Sequence, residues 1–292
     1  MAPTAVIETM PSSPTPTQNP SQTQSVPYLF ALHGKTIAIT GGGRGLGMSL
    51  AFAVIEAGGH VACLDILPAP SEQEWASLQK LANVSNLTIS YHQCDVTSEI
   101  ETTNKLETIA QEATTKGAPF SGIVACAGIQ QQVPALEYDA QDFERILRVN
   151  VTGSFLTAKR AARIFVDQKQ GGSIVLIASM SGQIANRGLT CTAYNASKSA
   201  VHQMCRSVAQ EWGTHGIRVN TLSPGQYIKT DMTNALLDAN PEVEKIWMAG
   251  ALLGRLGTPE DFKAPAVFLL SEGSSFMTGA DLRVDGGHCA SA

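Results

Sequence analysis

Seven short apolar runs, each closed by Gly, Asp, Ser, Pro or Thr and separated by stretches of helical pattern, leave few folds open to this sequence. They are TIAIT (Thr36–Thr40), HVACLD (His60–Asp65), TISYHQCDV (Thr88–Val96), GIVACAG (Gly122–Gly128), SIVLIAS (Ser173–Ser179), IRVNTLS (Ile217–Ser223) and DLRVDGG (Asp281–Gly287). Short, mostly apolar runs of this kind read as strands buried on both faces, as in a parallel sheet covered by helices. The stretches between them carry one apolar stripe, as in Val201, Met204, Cys205, Val208 and Trp212, which is the spacing of a helix with one buried face. Alternation of this kind predicts an α/β fold: one doubly wound, Rossmann-type domain with a seven-stranded parallel sheet and helices on both faces. Ligands then bind beyond the carboxyl ends of the strands.

The 292 residues, 43% of them hydrophobic, suffice for one large core, and there is no internal repeat or sign of a second domain. Residues Pro11 to Ser25 contain only Pro, Ser, Thr, Gln and Asn, a composition that buries almost nothing. A disordered tail is expected over 1–31 and a catalytic domain over 32–292, with a substrate lid at about 226–255. No Lys or Arg precedes Lys35, so the start resembles neither a secretory signal nor an Arg-rich transit peptide, and a cytoplasmic location is expected. A net charge of -5 gives no footprint for nucleic acid or an anionic membrane, and no apolar run reaches the ~18 residues of a membrane helix. The six cysteines lie far apart without a C-x-x-C, and the six histidines are scattered without an H-E-x-x-H. They read as reduced thiols and ordinary imidazoles; no metal is expected.

The first run leads into TGGGRGLG (Thr40–Gly47) and then a helical pattern. Glycine permits the tight turn and lets the backbone approach a pyrophosphate, whose charge faces the helix N-terminus. Asp65 ends the next run 18 residues after Gly47, where a carboxylate can accept both hydroxyls of the adenosine ribose. The same charge repels a 2′-phosphate and favours NAD(H), while Arg44 beside the loop could hold that phosphate and keeps NADP(H) open. A structural glycine turn and a solvated strand-end Asp remain the plain alternatives. Tyr194 and Lys198 stand four residues apart in CTAYNASKSAV. That spacing alone suits a core aromatic beside a snorkelling lysine as well as it suits an acid–base pair.

The motifs taken together resemble the classical short-chain dehydrogenase/reductase family from about Leu32 to His288. T-G-x-x-x-G-x-G lies at Thr40–Gly47, CDV at Cys94–Val96, VACAG at Val124–Gly128, and RVNVTG around Asn150. GSIVLIAS ends at Ser179, Y-x-x-x-K spans Tyr194–Lys198, and RVNTLSPG (Arg218–Gly225) and VDGG close the series. EAGGHVACLDILP, IVLIASMSG and SSFMTGADLRVDGGH look most similar to the D-arabinitol and related polyol dehydrogenases.

The resemblance implies that Tyr194 is the general acid/base and that Lys198 lowers its pKa and holds the nicotinamide ribose. Ser179 would polarise the reacting oxygen, and Asn150 would anchor a proton-relay water. Cofactor contacts are implied from Gly41, Arg44, Gly45, Leu46 and Gly47 in the loop, and from Asp65, Asp95 and Val96. Ala127 and Gly128, the Tyr194–Lys198 pair, and Pro224, Gly225, Ile228 and Thr230 would complete them. Ser181 competes with Ser179, because the spacing from Ser179 to Tyr194 is two residues longer than in many members; alignment at the strand end favours Ser179. A homodimer or homotetramer is implied through the helices carrying Asn150 and Tyr194–Lys198.

Three departures stand out. Cys126 replaces an Asn that usually braces the central strand, SPGQYIKT carries one residue more than the usual motif, and Pro265 should kink the helix begun by TPED.

The lid region carries Met232, Leu236, Leu237, Ile246, Trp247, Met248, Leu252 and Leu253, with Lys229, Lys245 and Arg255 as its cations. That composition suits a small neutral alcohol or ketone better than a phosphate ester. Gln130, Gln131 and Gln132 and the Asn186–Arg187 pair are further candidates to line the pocket. The expected function is NAD(P)-dependent interconversion of a secondary alcohol and a ketone, a polyol–ketose pair foremost. A ketone reductase of a secondary-metabolite pathway is the second reading, and a nucleotide-binding scaffold without turnover the third.

Overall fold

Each of the seven runs contributes a strand: β1 Thr36–Thr40, β2 His60–Asp65, β3 Ile89–Gln93, β4 Phe120–Ala125, β5 Gly172–Ile177, β6 Ile217–Pro224 and β7 Asp281–Val284. The computed structural model describes residues 25–226, 237 and 242–291. All the pairings are parallel, in the order β3-β2-β1-β4-β5-β6-β7. The chain therefore winds one way from β1 to β3 and the other way from β4 to β7. The crevice at the switch point lies beyond the carboxyl ends of β1 and β4. Central β1 is buried at every position, as the continuous apolar run demands. The edge strands β3 and β7 are mostly half-buried, since each has a sheet neighbour on one side alone.

Several strands stop earlier than the apolar runs do, and the remainder becomes loop at the carboxyl edge. β3 ends at Gln93, and the Asp95 carboxylate accepts from Thr97 N at 2.8 Å, turning the chain there. β4 ends at Ala125 and β5 at Ile177, which frees Cys126–Gly128 and Ala178–Ser181 to face the crevice.

Among the described residues the α-helices are α1 Val26–Leu29, α2 Gly45–Glu56, α3 Glu72–Val84, α4 Glu99–Thr115, α5 Ala140–Leu147, α6 Ser154–Asp167, α7 Thr192–Trp212, α8 Glu242–Gly250 and α9 Lys263–Leu270. One core joins α4, α6 and α7 to the sheet through Leu106, Ile109, Phe165, Val201 and Val208 against Ile123, Ile174 and Val219. The other joins α2, α3 and α9 to the opposite face through Leu50, Val54, Leu78 and Leu269 against Ile37, Ile39, Val124 and Leu222. Burial of each such side chain is worth about 1.5–3 kcal/mol. Packing is tight: a Cβ on Gly172 would come within 2.4 Å of the Phe165 ring, which stacks 5.1 Å from Phe120.

Where the tail was expected to run to residue 31, Val26–Leu29 forms a helical turn and the Phe30 ring meets Phe268 at 5.9 Å; residues 1–24 lie outside those described. Pro265 does not kink a continuous α-helix. The segment starts as a 3-10 turn at Pro259–Phe262, closed by a Thr258–Asp261 capping box, and becomes α9 at Lys263. Pro265 thus sits in the first α turn, where its missing N–H costs nothing.

Helix α8 buries Val243 and Trp247 against Leu189, Leu237 and Leu256, while Ile246, Met248, Leu252 and Leu253 are exposed. Ile228, Thr230, Met232 and Leu236 lie outside the described residues. All six cysteines are free thiols, four of them buried. Among the described residues no helix is long and apolar enough to cross a membrane.

Candidate active site

The nucleotide side of the crevice is built from backbone in close approach. Gly41 holds φ +67°, and a Cβ there would stand 2.8 Å from Ala127 Cα; a Cβ on Gly47 would fall 2.1 Å from Gly41 O. Only glycine allows the turn to fold this tightly onto α2. No side chain caps the first turn of α2, so its backbone N–H groups are offered to an anion. Gly45 and Leu46 open that helix, and Arg44 is exposed at its N-cap. At the end of β2, Asp65 is fixed: Oδ2 accepts from Gly43 N at 2.9 Å and Oδ1 from Leu67 N at 3.1 Å. A Cβ on Gly43 would meet that carboxylate at 2.9 Å. A dinucleotide fits this cradle: the α2 N-terminus would take its pyrophosphate and Asp65 a ribose.

Thr40 ends β1 beside Cys126, which follows β4. Its hydroxyl oxygen accepts from Cys126 N at 3.1 Å and from Ala127 N at 3.3 Å, binding the ends of β1 and β4 together. Val96 packs close to Gly153: a Cβ on Gly153 would stand 2.8 Å from Val96 Cγ2. Gly153 ends the π-helical stretch Arg148–Gly153 that contains Asn150, and widened turns of this kind often mark functional sites. Pro224 ends β6, and Gly225 N donates to Val284 O at 2.9 Å, with room for no side chain against Asp285.

Asn150 is fully buried and its side chain is fully committed. Oδ1 accepts from Ile129 N at 2.8 Å, while Nδ2 donates to Ile129 O at 2.9 Å and to Ser197 Oγ at 3.0 Å. It thereby ties the loop after β4 to α7. Beside it a Cβ on Gly128 would approach Asn150 Oδ1 at 3.3 Å and Lys198 Nζ at 3.7 Å. Lys198, 5% exposed, donates to Ile177 O at 2.7 Å, and its Nζ lies 5.5 Å from the Tyr194 ring centre. The helical step of four residues puts both on the same face of α7.

Both serines are present at the reacting end. Ser179 Oγ donates to Ser181 Oγ at 3.0 Å and accepts from Ser181 N at 3.1 Å. Its hydroxyl also neighbours the Tyr194 phenol, so Ser179 rather than Ser181 is the direct partner.

Burial dominates the electrostatics of the pair. Burial pushes the Tyr194 phenol up to about 12, with the Ser179 hydrogen bond pulling it back. Burial likewise brings the Lys198 ammonium down to about 8. The Lys198 ammonium is engaged by the Ile177 carbonyl. Thr40, Ser197 and the Ile177 carbonyl were not singled out in the sequence. Thr40 alone carried a signal, as the hydroxyl that ends β1.

The family model described as enoyl-(acyl carrier protein) reductase matches residues 41–288. The chain belongs to the short-chain dehydrogenase/reductase family. It is 45% identical over 270 residues to the short chain dehydrogenases/reductase notP' of Aspergillus versicolor, covering 91% of each chain. It is 38% identical over 259 residues to galactitol 2-dehydrogenase of Rhizobium johnstonii, covering 88% of this chain and 96% of that one. D-arabinitol 2-dehydrogenases are further relatives. The crystal structure of NADPH-dependent 3-quinuclidinone reductase from Rhodotorula rubra superposes with a TM-score of 0.83 at 34% identity, covering 95% of this chain and 100% of that one. This short-chain dehydrogenase/reductase is an NAD(P)-dependent oxidoreductase that interconverts a secondary alcohol and a ketone.

Proposed function

We propose that the alcohol is a polyol, oxidised to its ketose, and that NAD(H) is the preferred cofactor. The observation that carries the cofactor reading is the fixed Asp65 carboxylate, held by Gly43 N and Leu67 N at the ribose end of the cradle. Two backbone bonds leave its remaining lone pairs for ribose hydroxyls, and its charge opposes a 2′-phosphate. The polyol reading is supported by the hydroxyl-bearing Ser179 and Ser181 and the Asn186 amide hydrogen-bonded to Ser181, and by the galactitol and arabinitol enzymes among the relatives.

In this reading Tyr194 takes the proton of the reacting hydroxyl during oxidation and returns it during reduction. Ser179 orients the same oxygen. Lys198 contributes positive charge beneath the phenol, and Asn150 positions the loop at Gly128–Ile129. NAD, when bound, supplies hydride acceptance. The loop Gly41–Gly47 with Asp65, Asp95–Val96, Ala127–Gly128 and Pro224–Gly225 would hold it, and Ile228 and Thr230 are proposed for the carboxamide. The catalytic domain is proposed to span 32–292, and the assembly to be a cytoplasmic homodimer or homotetramer.

A second reading, reduction of a larger ketone, is favoured by the exposed Ile246, Met248, Leu252 and Leu253 on and after α8, which suit an apolar substrate. The test is near-ultraviolet absorbance of reduced nicotinamide with purified chain, D-arabinitol, and NAD or NADP in parallel. Growth with NAD supports the first reading; a flat trace in both, followed by consumption of reduced cofactor with apolar ketones, supports the second.

A further inference from the structure

Asp281 opens β7, and its carboxylate serves two parts of the structure at once. Oδ1 faces β6 and α7: it accepts from Thr221 Oγ1 and from Ser223 Oγ, each at 2.6 Å. Ser223 Oγ, having given its proton to Asp281, accepts from His202 Nε2 of α7 at 2.8 Å, and that nitrogen lies 3.5 Å from the same carboxylate oxygen. Oδ2 faces the loop after β5, where it accepts from Gln183 Nε2 at 2.5 Å. The far end of the Gln183 amide accepts from Arg283 Nη1 at 2.8 Å, so only one orientation of the amide satisfies both neighbours. Burial would raise the Asp281 carboxyl, but the bonds from His202, Ser223 and Thr221 hold it below its ordinary value. The group is therefore an ionised carboxylate, and its hydrogen bonds are charge-assisted.

Gln183 follows the 3-10 turn Met180–Gly182, of which Ser179 is the N-cap. Gln183 N donates to Met180 O at 2.8 Å and Gly182 N to Ser179 O at 3.0 Å. The turn is thus one hydrogen-bonded unit with Ser179 at one end and Gln183 at the other. It rests directly on α7. A Cβ on Gly182 would stand 2.6 Å from the Lys198 carbonyl carbon and 2.7 Å from His202 Nδ1, and Ser199 Oγ donates to Gly182 O at 2.7 Å. Asp281 reaches both sides of this contact, the turn through Gln183 and α7 through Ser223 and His202.

We infer that Asp281 and Gln183 are positioning residues for the reaction: through them β7 fixes the height of the Ser179 turn on α7, and with it the approach of Ser179 to Tyr194. This rests on the roles proposed above for Ser179 and Tyr194. The clamp grips α7 at His202, one helical turn beyond Lys198. A misplacement of about 1 Å at a reacting group can cost about 10²-fold in rate, so a modest bond outside the site is enough to matter.

The rival is a purely structural role. β7 is an edge strand, where a charged side chain ties the strand to its neighbour and discourages further pairing. Oδ1 does that through Thr221 and Ser223. The bond from Gln183 to Oδ2 adds nothing to the sheet, and the rival leaves it unexplained.

The experiment exchanges the two partners in the full chain. Asp281→Asn keeps an acceptor for Thr221 and Ser223 but turns an N–H toward Gln183 Nε2; Gln183→Glu sets a carboxylate against Asp281. Gln183 is exposed, so its variant should fold. Rates are read by nicotinamide absorbance, with D-arabinitol and NAD or with cyclohexanone and reduced cofactor, whichever pair wild type turns over. Each single variant is expected to lower kcat by about tenfold while the KM for cofactor changes by less than about threefold. Each should also move the Tyr194 limb of the pH profile to higher pH, because a displaced Ser179 no longer pulls the phenol down. The double variant restores one donor facing one acceptor and conserves net charge; it should return to within about threefold of wild type in kcat, a coupling that independent sites do not show. Melting temperatures that fall and recover while kcat and the pH limb stay at wild-type values overturn the inference and leave Asp281 a staple of the sheet. Losses that multiply in the double variant overturn it as well. Full activity in Ser179→Ala, or a wild type that turns over neither pair, is a different signature: the reading of the site itself fails, and the inference falls with it.

Discussion

Lys198 Nζ stands 5.5 Å from the centre of the Tyr194 ring while donating to the Ile177 carbonyl. The lysine is therefore tied to the end of β5, the strand that also delivers Ser179. Three groups of the site share one rigid corner between β5 and α7. Removing the phenol hydroxyl alone should spare that corner. Tyr194→Phe is expected to lower alcohol oxidation by about 10²- to 10⁴-fold, with cofactor affinity, read by fluorescence titration, essentially unchanged. Retained turnover would take Tyr194 out of the proton transfer.

Burial of Lys198 makes a stability prediction whose sign follows from linkage. Its folded pKa is about 8 against an ordinary 10.5. Below pH 8 the ammonium is buried charged, a cost of about 3 kcal/mol for a shift of this size. Between pH 8 and 10.5 the unfolded chain holds more protons than the folded one, so this cost is relieved as pH rises. Tyr194 acts oppositely: its pKa is raised from 10.0 to about 12, so its contribution is lost as pH climbs through that window. Lys198→Met should raise the melting temperature of the cofactor-free protein at pH 7, less the penalty of leaving Ile177 O unpaired. Its advantage over wild type should shrink from pH 8 to 10.5. A gap that stays constant with pH would mean that Lys198 is not desolvated in solution.

Asp65 should decide between the two nicotinamide cofactors. Asp65→Ser keeps one oxygen for the backbone donors Gly43 N and Leu67 N and removes the charge that opposes a 2′-phosphate. The ratio of kcat/KM for NADP over NAD is expected to rise by about tenfold or more, since one pK-unit equivalent of charge interaction is 1.36 kcal/mol. An unchanged ratio would transfer the discrimination to Arg44.

How much of this was legible follows from what kind of signal each feature leaves. β1 and β2 were readable to the residue because central parallel strands are apolar throughout and end abruptly at Thr40 and Asp65. β3, β4, β5 and β7 were overextended, because the residues after Gln93, Ala125, Ile177 and Val284 remain largely apolar or small while leaving the ladder to line the crevice. Motif residues such as Asn150, Ser179, Tyr194 and Lys198 were nameable by type and order. Their partners were not: Ile129 and Ile177 act through backbone groups, which carry no sequence signature. Burial, which raises the phenol and lowers the ammonium, leaves no signature in the sequence either.

The hydroxyl of Thr40 carries the last prediction. It accepts from Cys126 N and Ala127 N. Thr40→Val is nearly isosteric and strands both N–H groups at the junction of β1 and β4. The expected loss is about 2–4 kcal/mol, taking 1–3 kcal/mol per buried orphan donor with partial relief by solvent. Cofactor affinity should fall with it, since Gly41 packs directly on Ala127. Thr40→Ser should behave as wild type. The informative variant is the pair Thr40→Val with Cys126→Asn, in which the new amide replaces the lost acceptor. Urea midpoints should show it recovering at least half of the loss, a coupling that simple additivity excludes for independent sites. If the double variant is as unstable as the sum of the singles, the junction is braced by packing, and Thr40 contributes no hydrogen-bond energy of its own.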